Sequence, residues 1–360
     1  MILCGVAAFL FFTSGPRTPY NNAEAQAPSL AQSLDQYLAT AAKSGFSGGI
    51  VVERDGEAIL KKGYGIADTA NSTPFSARTV AQIGSIAKTF TAMAIAQLAI
   101  DGKIDLNAPV SKYLPEAAQP AASATVKELL THRSGIRAEC GDDFQALSES
   151  ELLTKCMALP LKHPRGQYAY SNMAYSILAA VIAHVSRQDW ETYLRAHIWE
   201  PAGMTRTLFA DSKVADVEFA AGSLHGQRQA PIIESLRSIA PNDWNLQGCC
   251  GVESSLDDMQ RFGRYLFSDT SSLSPAVRRL MLAPLADDDS GAQVGFGLYF
   301  RRDASGRLSR VGHSGSDGVF FSYFGWLPQH QIRFYFVGTN GEDAVRPVVV
   351  HVIDILSHAS

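Results

Sequence analysis

Between Ser29 and Lys43, apolar residues fall at Leu30, Leu34, Tyr37 and Leu38, a spacing that predicts an amphipathic helix closing at Gly45. Two short runs follow, Gly49 to Glu53 and Ala58 to Tyr64, joined at Arg54-Asp55-Gly56; the Asp-Gly step predicts a tight hairpin. From about Thr79 to Asp288 the texture becomes helical, broken by proline and glycine and without an internal repeat. Strand-like runs return at Val294 to Phe300, Arg307 to Gly312, Val319 to Leu327 and Ile332 to Thr339, rich in β-branched and aromatic residues. Polar turns at Asp303 to Gly306 and Pro328 to Gln331 separate them, which predicts an antiparallel meander, and Ala344 to Ser357 predicts a closing helix. The expected architecture is α/β: an antiparallel sheet built from both chain ends (28–78 and 290–360), flanked by helices, with 79–289 as a mainly helical insertion and the functional cleft at their junction.

The first residues stand apart. Met1 to Phe12 is almost wholly apolar, and Ala23-Glu24-Ala25-Gln26-Ala27 offers two overlapping A-x-A patterns. This predicts a cleavable secretory signal over residues 1–27 and a periplasmic or secreted mature protein, the rival reading being a buried N-terminal helix. No Lys or Arg precedes the apolar run, so a start codon further upstream is expected. The run is short for a bilayer span, and nothing later supplies eighteen uninterrupted apolar residues, so no integral membrane segment is expected in the mature chain.

With 46% hydrophobic and 18% charged residues, the 360-residue chain can bury a sizeable core. A net charge of −4 without Lys/Arg clusters excludes an electrostatic footprint for nucleic acid and favours a small-molecule or short-peptide partner. Export would make the surroundings oxidising. Cys140 and Cys156 are then placed to pair across a short helical loop, whereas a bond between adjacent Cys249 and Cys250 would close a strained ring, so two buried thiols are expected there. No cysteine stands near a histidine at a metal-ligand or nucleophile spacing, and no H-E-x-x-H occurs, so neither a metal nor an organic cofactor is expected.

The candidate chemistry begins at Ile83 to Ile100, a helix apolar nearly all round and therefore predicted to be buried. It carries Ser85 and Lys88 three positions apart, on one face. A buried lysine loses hydration at a cost of several kcal/mol unless a partner or a function offsets it. Beside a serine, in a first turn whose N–H groups are unpaired, it favours the alkoxide that a nucleophile must become. Taken alone, S-x-x-K reads as a capping serine beside a snorkelling lysine. Tyr170-Ser171-Asn172 precedes a second apolar helix; Ser171 and Asn172 are both placed to cap it, leaving Tyr170 as a candidate proton carrier and Asn172 as an amide for a carbonyl or the lysine. A third motif, His313-Ser314-Gly315, stands at the end of a strand, where its plain reading is a turn of small residues.

In this order the three motifs resemble the serine β-lactamase and penicillin-binding-protein superfamily, in the branch holding class C β-lactamases, D-alanyl-D-alanine carboxypeptidases, D-aminopeptidases and esterases. "LLTHRSGI" (129–136), "GVESSLDDMQRFGRYL" (251–266) and "GFGLYF" (295–300) are further echoes, so the resemblance spans nearly all of the mature chain. It implies a beta-lactamase/transpeptidase-like fold and an acylation–deacylation cycle on an amide or ester. Ser85 would be the nucleophile, and Lys88 and Tyr170 would move its proton, in a division the residues leave open. Asn172, His313, Ser314, Gly315 and Ser316 would bind substrate, with the backbone N–H groups of Ser85 and Ser316 as oxyanion donors. A D-Ala-type wall peptide, a small ester and a β-lactam are the candidate substrates. His313 stands where class C enzymes usually carry lysine, which implies a weaker fixed charge for a substrate carboxylate and demotes efficient β-lactam hydrolysis. The alternatives are a true β-lactamase and a penicillin-binding module with little turnover.

Overall fold

The computed structural model describes residues 28–141, 145–209, 217–230, 234 and 243–359. The expected secretory signal at 1–27 lies outside them. The first helix, α1 (Leu30–Lys43), opens on a reciprocal cap in which Ser29 and Gln32 each hold the other's backbone N–H. The hairpin follows as β1 (Gly48–Arg54) and β2 (Glu57–Tyr64), its turn made by Asp55 and Gly56, both at positive φ. After the helical region come β3 (Ala286–Asp287), β4 (Gln293–Val294), β5 (Tyr299–Arg302), β6 (Leu308–Ser316), β7 (Phe321–Leu327) and β8 (Ile332–Gly338). All eight form one antiparallel sheet in the order β2-β1-β8-β7-β6-β5-β4-β3.

The strand periodicity explains the layering. Ile50 and Val52 of β1, with Phe334 and Phe336 of β8, point to one face, where α1 and the C-terminal helix cover them through Leu34, Leu38, Val345 and Val352. Alternate residues, Val51, Tyr335 and Val337, point into a larger core shared with the central helices. On that side lie α2 (Ala87–Ile100), α3 (Asn172–Ser186) and α4 (Leu256–Phe267), and the chain closes with α5 (Glu342–Ser357). Glu53 is buried in the sheet, and Arg333 and Arg264 both engage its carboxylate. Among the described residues no helix is long and apolar enough to cross a membrane.

Several expected boundaries move. Val294 to Phe300 is not one strand: Gly295 N–H donates to Leu298 O in a turn that contains Gly297 at φ +62°, and the turn's backbone lies against α2. The glycines permit a bend that their apolar neighbours disguise. The strand expected to stop at Gly312 continues to Ser316, because Ser316 still pairs with Phe321. The short edge strand β3 was not expected. Ile83 to Ile100 begins as a single 3₁₀ turn, Gly84–Ile86, before α2.

Cys140 and Cys156 form a disulfide, while Cys249 and Cys250 remain thiols; contrary to expectation only Cys249 is buried, Cys250 being half-buried. Closing a loop of 16 residues is worth about 3 kcal/mol through the unfolded state. Reduction by dithiothreitol is therefore expected to lower Tm by several degrees in differential scanning calorimetry. An unchanged Tm in a fully reduced sample would refute this contribution.

Candidate active site

The turn before α2 is shaped by two glycines on opposite sides of a close backbone approach. Gly84 has φ +53°, and a Cβ there would sit 2.6 Å from Ser316 N; a Cβ on Gly315 would sit 1.9 Å from Ile83 O. Ser322 Oγ fastens the approach by donating to Ile83 O at 2.8 Å. Strand β6 thus lies directly against the Ser85 turn, Gly84 against Ser316 and Ile83 against Gly315.

Lys88 lies in the first turn of α2 and is wholly buried. Its ammonium has three protons to donate, and three acceptors receive them: Ser85 Oγ at 3.0 Å, Asn172 Oδ1 at 2.8 Å and Cys249 O at 3.0 Å. The other buried polar residues of α2 also reach out of the helix, Thr89 to Gly297 O at 2.9 Å and Thr91 to Gly248 O at 2.7 Å. Of the two candidate caps of α3, Ser171 takes the role by accepting from Ala174 N at 3.0 Å, which leaves the Asn172 amide to Lys88. Tyr170 precedes the cap. Its ring lies 4.9 Å from Lys88 Nζ, and it lines the same cavity as Ser85.

Burial opposes the charge of Lys88, but attraction to Tyr170, Cys250 and Cys249 in their ionised forms outweighs it and pushes its pKa up. Burial also raises the Tyr170 pKa, against the pull of Lys88 and Ser85. At neutral pH the site therefore rests with a cationic lysine and a neutral phenol. His313 lies inside β6 rather than at its end. Burial and then the Lys88 charge push its pKa down to about 3, so it is neutral; its Nδ1 donates to Ser314 O, and its buried Nε2 meets no protein partner.

Ser85, Tyr170, His313, Ser314 and Ser316 line one cavity of about 450 Å³. All three motifs thus converge. Sequence reasoning missed His132, a buried residue at φ +57°. Its ring lies against Tyr170 with centroids 4.4 Å apart, and its Nδ1 accepts from Ser171 N at 3.1 Å. Burial and Lys88 hold its pKa well below the usual histidine range. The string "LLTHRSGI" contained it. The Cys249 carbonyl had no such signal, since every residue carries one. Among the described residues no cluster of His, Cys, Asp or Glu is arranged to hold a metal ion.

With neither histidine titrating near neutrality, kcat/KM is expected to stay level from about pH 5 to about pH 9. An acid limb with an apparent pKa near 6.5 in a stopped-time assay would contradict this electrostatic picture.

The family model described as Beta-lactamase matches residues 30–352. The chain belongs to the Beta-lactamase family. PbpX of Bacillus subtilis (strain 168), a penicillin-binding protein by name, is 31% identical over 269 residues, taking in 74% of this chain and 65% of PbpX, just under two thirds of that relative. Two solved structures share the fold. The penicillin-binding protein from Bacillus halodurans has a TM-score of 0.73 at 22% identity, over 89% of this chain and 99% of that one. The Beta-Lactamase/D-Alanine Carboxypeptidase from Pseudomonas syringae has a TM-score of 0.73 at 18% identity, over 91% and 99%. Membership of the Beta-lactamase family accounts for the antiparallel sheet with its covering helices.

Proposed function

We propose that the protein is a serine acyl hydrolase that forms an acyl-enzyme on Ser85 with an amide or ester such as a D-Ala-type peptide or a small ester. The observation that carries this reading is the wholly buried Lys88 ammonium, which spends one of its three hydrogen bonds on Ser85 Oγ beneath an open cavity. Lys88 donates to Ser85 Oγ and packs beside the Tyr170 ring, so this reading assigns the serine's own proton to Tyr170. As Oγ attacks the carbonyl carbon, that proton passes to the Tyr170 oxygen, and the phenol's proton passes to the leaving nitrogen or oxygen as its bond to carbon breaks. Lys88 stays protonated throughout and stabilises the negative charge that builds on the serine and the phenol. The backbone N–H groups of Ser85 and Ser316 receive the developing oxyanion. Water then attacks the ester and passes a proton to the Tyr170 oxygen, while the phenol's proton returns to Ser85 Oγ as the bond from Oγ to the acyl carbon breaks.

The groups come from two stretches, 79–289 for Ser85, Lys88, Tyr170 and Asn172 and 290–360 for His313 to Ser316, and the reading sets the cleft between those regions. A neutral His313 brings no fixed charge to a carboxylate beside the reacting carbonyl, which supports esters and amides lacking one there over β-lactams, whose carboxylate lies at that place. Export to the periplasm or beyond is part of the proposal, supported by the Cys140–Cys156 disulfide, a bond that persists in oxidising compartments.

The test is labelling of the mature protein with a fluorophosphonate and a fluorescent penicillin, mapped by mass spectrometry, alongside turnover of nitrocefin, D-Ala-D-Ala peptides and short-chain esters. Label on Ser85 that disappears in Ser85→Ala, with turnover of a peptide or ester, is the expected result. Label that persists in Ser85→Ala, or no label and no turnover, would sink the assignment.

A further inference from the structure

The cavity that begins at Ser85 does not end there. It continues along the outward face of β5, β6 and β7, where alternation brings Tyr299 and Arg301, Arg310 and Gly312, and Phe321 and Tyr323 to the same side. Helix α5 forms the opposite wall with Val349, Val350 and Ile353, and Val350 is 61% exposed.

Arg301 and Arg310 are direct cross-strand partners in the register of β5 and β6. Like charges placed directly opposite one another destabilise a sheet. Among the described residues neither arginine has an ion-pair partner, whereas the neighbouring Arg346 is paired with Glu342. Arg301 reaches only Ser290 Oγ, at 3.2 Å. Arg310 stacks its guanidinium 5.5 Å from the Tyr323 ring centroid, and its Nε is buried without an acceptor. Asp288 lines the same cavity, but its carboxylate is turned to Ser290 N and Ala292 N, both at 2.8 Å. A pre-stacked arginine with an unfilled donor, facing a second arginine, is suited to a planar oxyanion.

We propose that Arg301 and Arg310 form an anion subsite that selects substrates carrying a carboxylate remote from the scissile bond, joined to it by a partly apolar body lying against α5. This deepens the acyl-hydrolase reading and rests on it. Arg310 stands six positions before Ser316 on one strand, about 20 Å along it. The subsite is thus distinct from His313, which meets the substrate beside the reacting carbonyl.

The test uses p-nitrophenyl esters of ω-carboxyalkanoic acids of increasing chain length, each paired with its ω-methyl ester. Wild-type protein is expected to show no preference at short lengths. Once the chain spans the groove, it should prefer the free acid by about tenfold or more, the effect of a hydrogen-bonded charge. In the Arg301→Gln/Arg310→Gln double variant the ratio of free acid to methyl ester should collapse toward one, and added salt should erode it in wild type. A wild-type ratio near one at every length, or a preference that survives in the double variant, overturns the subsite.

Failure of the parent reading looks different: no ester is turned over and Ser85 takes no fluorophosphonate. The subsite is then judged by calorimetric binding of a long-chain α,ω-dicarboxylate to Ser85→Ala. Affinity at least tenfold weaker once both arginines are replaced supports it, and equal or undetectable binding overturns it.

Discussion

Replacing Lys88 with methionine is expected to reduce kcat/KM by about 10⁴-fold while leaving Tm nearly unchanged. The two halves of this result have separate causes. The ammonium is wholly buried, so its removal recovers a desolvation cost of several kcal/mol. Against that gain, Asn172 Oδ1 and Cys249 O lose a donor, at about 1 to 3 kcal/mol for each acceptor left unsatisfied. Its partners are neutral, so no uncompensated charge is stranded in the core. Activity has no such offset, because without the cation neither the serine alkoxide nor the developing phenolate is stabilised. Steady-state kinetics and calorimetry on one preparation decide the matter. A variant that keeps more than about a tenth of wild-type activity would make Lys88 a structural cation and nothing more.

Gly315→Ala is expected to cost about 10² to 10³ in kcat/KM together with about 1 to 3 kcal/mol of stability. The new methyl would lie 1.9 Å from Ile83 O and 2.9 Å from Ser322 Oγ. Strand β6 must therefore withdraw from the Ser85 turn, and the two N–H groups proposed to bind the oxyanion would separate. Gly263→Ala in α4 is the control, since its Cβ would meet nothing nearer than 3.6 Å and gains helix propensity of up to about 1 kcal/mol. If Gly315→Ala retained wild-type turnover, the oxyanion would have to be bound elsewhere.

What the sequence conveyed follows from where the information resides. Ser85 with Lys88, Tyr170 with Asn172, and His313 with Gly315 are short-range pairs, and helix or strand geometry converts such spacing into direction. The alternating strands of both chain ends likewise declared one sheet, because one buried face imposes a period of two on every strand. The bend at Gly295 to Leu298 was concealed within an apolar run, since periodicity registers burial and not backbone direction. His132 could be quoted as part of a string, but its place against Tyr170 arises only when a loop 38 residues upstream folds beneath α3. The Cys249 carbonyl and the Arg301–Arg310 pair are products of tertiary approach and strand register, which no local pattern encodes.

The pairing of β1 with β8 also bears on synthesis. Gly48 lies opposite Gly338, so the centre of the sheet cannot be assembled until almost the whole polypeptide has been made. Ser85 and Lys88 leave the ribosome early, yet the strand bearing Ser316 follows more than two hundred residues later. A nascent chain thus carries the proposed nucleophile without the backbone assigned to stabilise a reaction intermediate. On the proposed mechanism the protein is expected to stay chemically silent until its last strands are in place, with no partially active fragment after early termination of translation.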